Sequence, residues 1–298
     1  MRTLRTNTQS ATRHQRANVA VVAHTGNLVE IEDIEAVPDW FRHLGTDWIR
    51  YFSNRLDLYH PIATRLADLL QRTKRDVIID MCSGSGGGWL SLIQHLDRLQ
   101  SSNVQIVLTD KYPNLGAAAH MEATSKSRIV YRKEQTDVLT SDWGTNDFRT
   151  MTMAFHHFPR QQAVTILRKA VSASAPIAIF DATGPGLLRR VPRLFAYLIV
   201  PFALVLNIFV PLLVLFGTPA IRPVRYTRLI LTYLLPLVPL YIWWDATISI
   251  LRVYHTNELR QIVGEADPDH TFDWDIGVTS GRGPRAITYV LGCPHTVS

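Results

Sequence analysis

The stretch Val77-Ile-Ile-Asp-Met-Cys-Ser-Gly-Ser-Gly-Gly-Gly88 decides the fold. An apolar run of β-branched residues that ends in an acid and breaks into glycines reads as a buried strand, a tight loop and the start of a helix. Glycines in such a loop let the backbone approach a ligand where a Cβ would clash. The reading implies a nucleoside-containing ligand without choosing among dinucleotides, phosphates and sulfonium nucleosides, because a glycine loop alone is a weak signal. A second run, Val104-Gln-Ile-Val-Leu-Thr-Asp110, also ends in a carboxylate. At the carboxyl edge of a parallel sheet, Asp110 would accept hydrogen bonds from both ribose hydroxyls.

With these residues in place the sequence resembles class I S-adenosylmethionine-dependent methyltransferases. The acidic residue and glycine-rich turn of that family are matched by Asp80, Cys82, Ser83, Gly84 and Gly86. The match departs at Cys82, where the family has glycine and where a positive φ would be strained. The resemblance continues in order through Asp110, Glu134-Gln-Thr-Asp-Val138, Met151-Thr-Met-Ala-Phe-His-His-Phe-Pro159 and a fifth strand, Ala175 to Asp181. It implies S-adenosyl-L-methionine as cofactor, with Asp80 and the 84–86 loop on its amino-acid part, Asp110 on the ribose, Asp137 on the adenine edge, and Phe155 beside it.

The end of the chain agrees. Thr271 to Val278 and Arg285 to Leu291 read as strands joined by Ser280-Gly-Arg-Gly-Pro284. So short a connection forces antiparallel pairing, since parallel strands need a crossover of a dozen or more residues. The expected fold class is therefore α/β: a Rossmann-like seven-stranded class I methyltransferase sheet with N-terminal cap helices and a hydrophobic helical insertion. The 298 residues divide into a flexible basic arm (1–35), cap helices (36–75), the cofactor-binding core (76–187), the insertion (188–246), and a terminal helix and hairpin (247–298). Pro38 to Thr73 carries Trp40, Phe41, Leu44, Trp48, Ile49 and Phe52 at helical spacing, and Pro61 splits it in two. The cysteines, Cys82 and Cys293, fall on different strands and are expected to be free thiols in a reducing compartment.

The insertion sets the chain apart. Leu194 to Phe216 holds no charge, and as a helix it would reach about 35 Å against a bilayer core of about 30 Å. A second apolar run, Leu229 to Trp244, contains Pro236 and Pro239. Both flanks belong to one sheet, so any crossing must be paired. A spanning hairpin would put Arg222, Arg225 and Arg228 on the far side, against the positive-inside tendency. Two broken helices lying in the interface, with these arginines and Arg189, Arg190 and Arg193 turned to headgroups, fit better than a two-span hairpin or a soluble lid. The expected location is the cytoplasmic face of a membrane. The net charge of +6 and pI near 9.5 suit anionic lipid or nucleic acid alike. Nucleic acid is not expected, because it leaves the uncharged segment without a purpose.

Chemistry is expected where the fourth and fifth strands end. His156 or His157 is a candidate general base. Asp245, after Ile242-Trp-Trp, marks either the water boundary or an inward-facing group that orients a polar substrate head with Arg252 or Tyr254. No metal is expected. The predicted function is methyl transfer to a lipophilic small molecule such as a quinone, isoprenoid, polyketide or lipid. The alternative is a catalytically silent membrane adaptor that keeps the fold.

Overall fold

The computed structural model describes residues 28–99, 104–144, 147–182, 201–279 and 286–295. At its centre is β1 (Val77–Met81), paired in parallel with β2 (Gln105–Thr109) on one side and β4 (Phe148–Thr152) on the other. β3 (Ile129–Tyr131) extends the β2 side and β5 (Ile177–Ala182) the β4 side, both in parallel. β7 (Ile287–Pro294) runs antiparallel between β5 and the edge strand β6 (Phe272–Val278), giving the order β3-β2-β1-β4-β5-β7-β6. This is the seven-stranded class I methyltransferase sheet. Its strand order reverses between β1 and β4, which opens a crevice at their carboxyl ends.

The central strands β1, β4 and β5 are buried along nearly their whole length because helices cover both faces of the sheet. α2 (Ala63–Thr73) and α3 (Trp89–Arg98) bury Leu66, Leu70, Leu92 and Leu96 against one face, with α4 (Leu115–Thr124) at its β2–β3 end. α5 (Arg160–Ser172) and α9 (Thr256–Ala266) bury Ile166, Leu167, Leu259 and Ile262 against the other. α1 (Asp39–Arg55) starts after Pro38, and a short 3-10 turn, His60–Ile62, carries Pro61 and separates it from α2, as the sequence predicts.

The insertion forms α6 (Phe209–Gly217), α7 (Tyr226–Tyr233) and α8 (Leu237–Arg252). Among the described residues no single helix is long and apolar enough to cross a membrane. α7 and α8 pass that test only as a pair bent by 82°. The break lies at Pro236, which supplies no amide hydrogen. The first part of the uncharged run, with Arg189, Arg190 and Arg193, and the predicted 280–284 turn lie outside the described residues.

Two expectations are corrected. The first concerns Arg225, which precedes α7, and Arg228 on α7, both expected to face lipid headgroups. Arg228 is 1% exposed and donates to Asp47 Oδ2 at 2.8 Å, and Arg225 Nε reaches the same oxygen at 3.1 Å. Asp47 Oδ1 accepts from Ser85 Oγ at 2.9 Å and Asn114 Nδ2 at 3.1 Å. A buried carboxylate thus outcompetes the surface, because its desolvation is offset only when several donors converge on it. The second concerns the basic arm, expected to run to residue 35. Residues 1–27 lie outside the described set, but residues 28–33 pack against α8: Asp245 accepts from Ile31 N at 2.7 Å and Glu32 N at 3.1 Å, and Trp244 Nε1 donates to Val29 O at 3.0 Å.

Asp47→Ala should therefore cost about 3–5 kcal/mol in urea denaturation, since it strands buried Arg228 without its counter-charge. A loss below about 1 kcal/mol would show that the network is not what holds α7 to the sheet.

Candidate active site

The glycine loop is built on strain and close approach. Cys82 adopts φ 56° and Gly86 φ 100°. A side chain in the left-handed region costs on the order of 1–2 kcal/mol, and Cys82 bears it, held by the hydrogen bond from Ser83 N to Thr109 O at 3.0 Å. Gly86 is required twice, for its φ and because a Cβ there would lie 2.6 Å from Met121 Cε. Burial pushes the Cys82 thiol well above its ordinary pKa, so it stays protonated, and Cys82 and Cys293 are both free.

Around this loop lies a cavity of about 520 Å³. Cys82, Ser83 and Gly84 from the loop, Asp110 after β2, Asp137 after β3, and Met153 and His157 after β4 all line it. Four connections of the sheet thus converge on one volume at the switch in strand order. Asp110 is set in advance: its Oδ2 accepts from Gly84 N and its Oδ1 from Tyr112 N, both at 2.7 Å. Burial raises its pKa despite these bonds. Asp137 accepts from Leu139 N at 2.8 Å.

Other predicted residues stand behind the cavity wall. Asp80 is fully buried and accepts from Ser83 Oγ and Thr150 Oγ1, both at 2.7 Å. It shapes the loop and does not line the cavity, because its carboxylate is taken up by the hydroxyls of Ser83 in the loop and Thr150 on β4. Burial, moderated by the Thr150 and Ser83 hydroxyls, raises its pKa to about 6. Phe155 is 1% exposed and packs in the core, its ring centroid 5.8 Å from that of Tyr254. Asp245 is 8% exposed and neither marks a water boundary nor enters the cavity. Its oxygens hold backbone amides of the 28–33 segment, and burial raises its pKa to about 8. Arg252 lines the cavity but is bound to Glu30, Asp33 and the His157 carbonyl, and Tyr254 donates to Phe158 O.

The two histidines part company. His156 is 3% exposed, with Nδ1 2.7 Å from Asp181 Oδ1. His157 faces the cavity with Nδ1 2.7 Å from Asp33 Oδ1 and Nε2 3.3 Å from Glu32 Oε1. Burial alone would lower its pKa. The surrounding carboxylates of Glu30, Asp33 and Glu32 outweigh that and raise it to about 10. His157 is therefore protonated at neutral pH and cannot accept a proton, which corrects its assignment as a general base. His43 on α1 also lines the cavity, and burial lowers its pKa. The cavity thus offers one charged and one neutral imidazole.

Sequence reading missed His43, Arg42, Tyr112 and the acids Glu30, Glu32 and Asp33. A signal existed for the last three: the first acids of the chain fall within four residues, after a tail that has none.

No family model matches this sequence and no curated protein is significantly similar to it. Solved structures similar to it include a mitomycin 7-O-methyltransferase, at 13% identity and TM-score 0.49 over 96% of this chain and 69% of that one. Human N-acetylserotonin methyltransferase in complex with SAM matches at 11% identity and TM-score 0.46 over 97% and 68%. An O-methyltransferase family protein from Burkholderia thailandensis matches at 14% identity and TM-score 0.47, and against it the chain covers 83% of itself but only 58% of the other protein. Such distant likeness concerns the fold alone, and the fold rests here on the strand order itself.

The Asp80 carboxyl, raised in the folded state, contributes stability that is full below about pH 4 and is lost as pH rises through about 6. Asp80→Asn should accordingly gain on the wild type by up to about 3 kcal/mol between pH 4 and pH 7 in urea denaturation. A difference between the two proteins that stays constant over this range would contradict the buried, ionising carboxyl.

Proposed function

We propose that this chain is an S-adenosylmethionine-dependent methyltransferase of a lipophilic small molecule, working against the cytoplasmic face of a membrane. The observation that carries the reading is the convergence of the glycine loop, Asp110 and Asp137 on one cavity at the strand switch. Its volume falls in the range of small-ligand sites. Asp110, with both oxygens already oriented by backbone amides, keeps lone pairs for two ribose hydroxyls. Asp137 and Leu139 border the adenine position, and the Ser83–Gly84 turn the amino-acid part. When bound, the cofactor supplies an electrophilic methyl group on a sulfonium.

The chain's own contribution is alignment and exclusion of water, which suffices for much of such a displacement. Where the nucleophile must lose a proton, neutral His43 is suited to take it and charged His157 is not.

The membrane part rests on the face of the inserted helices. Phe216, Tyr226 and Leu234 are 83%, 79% and 76% exposed, and Phe202, Val205, Leu206 and Phe209 all exceed 60%. Side chains of this size left in water favour an apolar partner, and the net charge of +6 adds attraction to anionic lipid.

Calorimetric titration with S-adenosylmethionine should show binding that Asp110→Ala abolishes while the fold is retained. No binding at millimolar cofactor would support the silent adaptor instead. His43→Gln should lower turnover with cofactor affinity unchanged, and full activity in that variant would remove His43 from the chemistry. Replacing Phe209, Phe216 and Leu234 together by serine should release the protein from anionic liposomes. Persistent sedimentation with lipid would place the anchor elsewhere.

A further inference from the structure

His156 and His157 each have Nδ1 occupied by a carboxylate, Asp181 for the first and Asp33 for the second, both at 2.7 Å. Their Nε2 atoms turn toward one residue: Glu30 Oε1 lies 3.7 Å from His156 Nε2, and Glu30 Oε2 lies 3.7 Å from His157 Nε2. One ligand atom from each of the three residues falls within 4.8 Å of the other two. Glu30 and His156 side chains are 1% and 4% exposed, and His156 Nε2 has no hydrogen-bond partner.

A separation of 3.7 Å is too long for a hydrogen bond. It suits two ligands of a single ion, since donors about 2.1 Å from a tetrahedral metal lie about 3.4 Å apart. Glu32 Oε1 lies 3.3 Å from His157 Nε2, beside the group but not within reach of all three ligand atoms. The carboxylate on each Nδ1 is the outer partner that metal-binding histidines ordinarily have, fixing the ring so that Nε2 presents its lone pair. Ser249 Oγ orients Glu30 from behind, donating to Oε2 at 2.7 Å.

Charge points the same way. Glu30, Glu32, Asp33, Asp181 and Asp245 crowd this region. Among the described residues, Arg252 is the arginine whose ion pairs fall inside the group, at 3.1 Å from Glu30 and also on Asp33. That guanidinium keeps Asp33 as a partner if Glu30 is drawn to an ion.

We propose that Glu30, His156 and His157 form a divalent-metal site, of zinc type by its two imidazole nitrogens and one carboxylate. No metal was expected from the sequence, because Glu30 and the histidines are separated by more than a hundred residues. Binding forms a metal–ligand bond from each of the three residues and releases the Nε2 proton of His157 to water. The ion bridges segments far apart in the chain. It clamps residues 30–33 to the carboxyl ends of β4 and β5, and so fixes the cavity wall that Glu32, Asp33 and His157 provide.

The full chain, stripped with EDTA and dialysed, is titrated with zinc sulfate by calorimetry, and bound metal is counted by mass spectrometry. One zinc per chain and a higher Tm on zinc addition are expected, with cobalt giving the visible spectrum of a tetrahedral nitrogen and oxygen site. Glu30→Gln should lose stoichiometric binding and the gain in Tm. Asp181→Asn should weaken binding by about 10–100-fold. His295→Gln, at an exposed pair with Asp273, should bind as the wild type. Less than one equivalent bound, or Glu30→Gln and Asp181→Asn both binding with wild-type affinity, would overturn the proposal and leave the cluster an ion-pair network held by Arg252 and charged His157. None of these readouts depends on the methyl donor, so the site stands or falls apart from the methyltransferase reading.

Discussion

The buried carboxylate of Asp47 is the interaction on which the rest of this structure depends. It is fully removed from solvent, so its charge is tolerable only while its donors converge. Those donors are four side chains from three places in the chain: Ser85 in the glycine loop, Asn114 at the start of α4, and Arg225 and Arg228 of the insertion, all meeting Asp47 on α1. Asn114 also caps α4 by accepting from Ala117 N at 3.1 Å. One charge therefore fixes the loop that borders the cofactor position, the helix after β2 and the inserted helices. Two hydrogen bonds in series connect the insertion to the glycine loop through Asp47.

A second polar knot closes the other side of the cavity. Residues 30–33 carry three carboxylates and are tied down by Arg252, His157 and the Asp245 carboxylate. The cost of gathering like charges is visible in the shifted groups: burial holds Glu32 above its ordinary range with Glu30 and Asp33 adding to it, and His157 stays charged. The segment ahead of α1 is thus a wall of the site. The imidazole that faces the cavity from this knot is engaged by carboxylates at both ring nitrogens.

Between the cavity and the apolar helices stands α1. Leu44 and Trp48 join Val214, Ile221, Val238 and Tyr241 in a separate apolar cluster, and Gly45 lets Tyr241 approach so closely that a Cβ would meet its ring at 2.6 Å. The other side of α1 presents Arg42, His43, Thr46 and Ile49 to the cavity. Among the described residues none between 201 and 251 lines the cavity. α1 thus carries residues of both the apolar cluster and the cavity wall.

By itself the sequence determined what depends on short range and on period. The β-branched runs, the glycine turn with Asp110 at the next strand's end, the Pro61 break and the antiparallel hairpin were all legible, because burial on both faces and tight connections leave their mark on consecutive residues. Only the tertiary structure decided which charges go inside. Arg225 and Arg228 read as headgroup contacts, Asp245 as a boundary marker or an inward-facing site group, and Asp80, by resemblance, as a cofactor ligand. Each is instead held by donors or acceptors from segments far away in the chain. A buried ion pair is stable only when its partners meet in space, and no local pattern records that meeting.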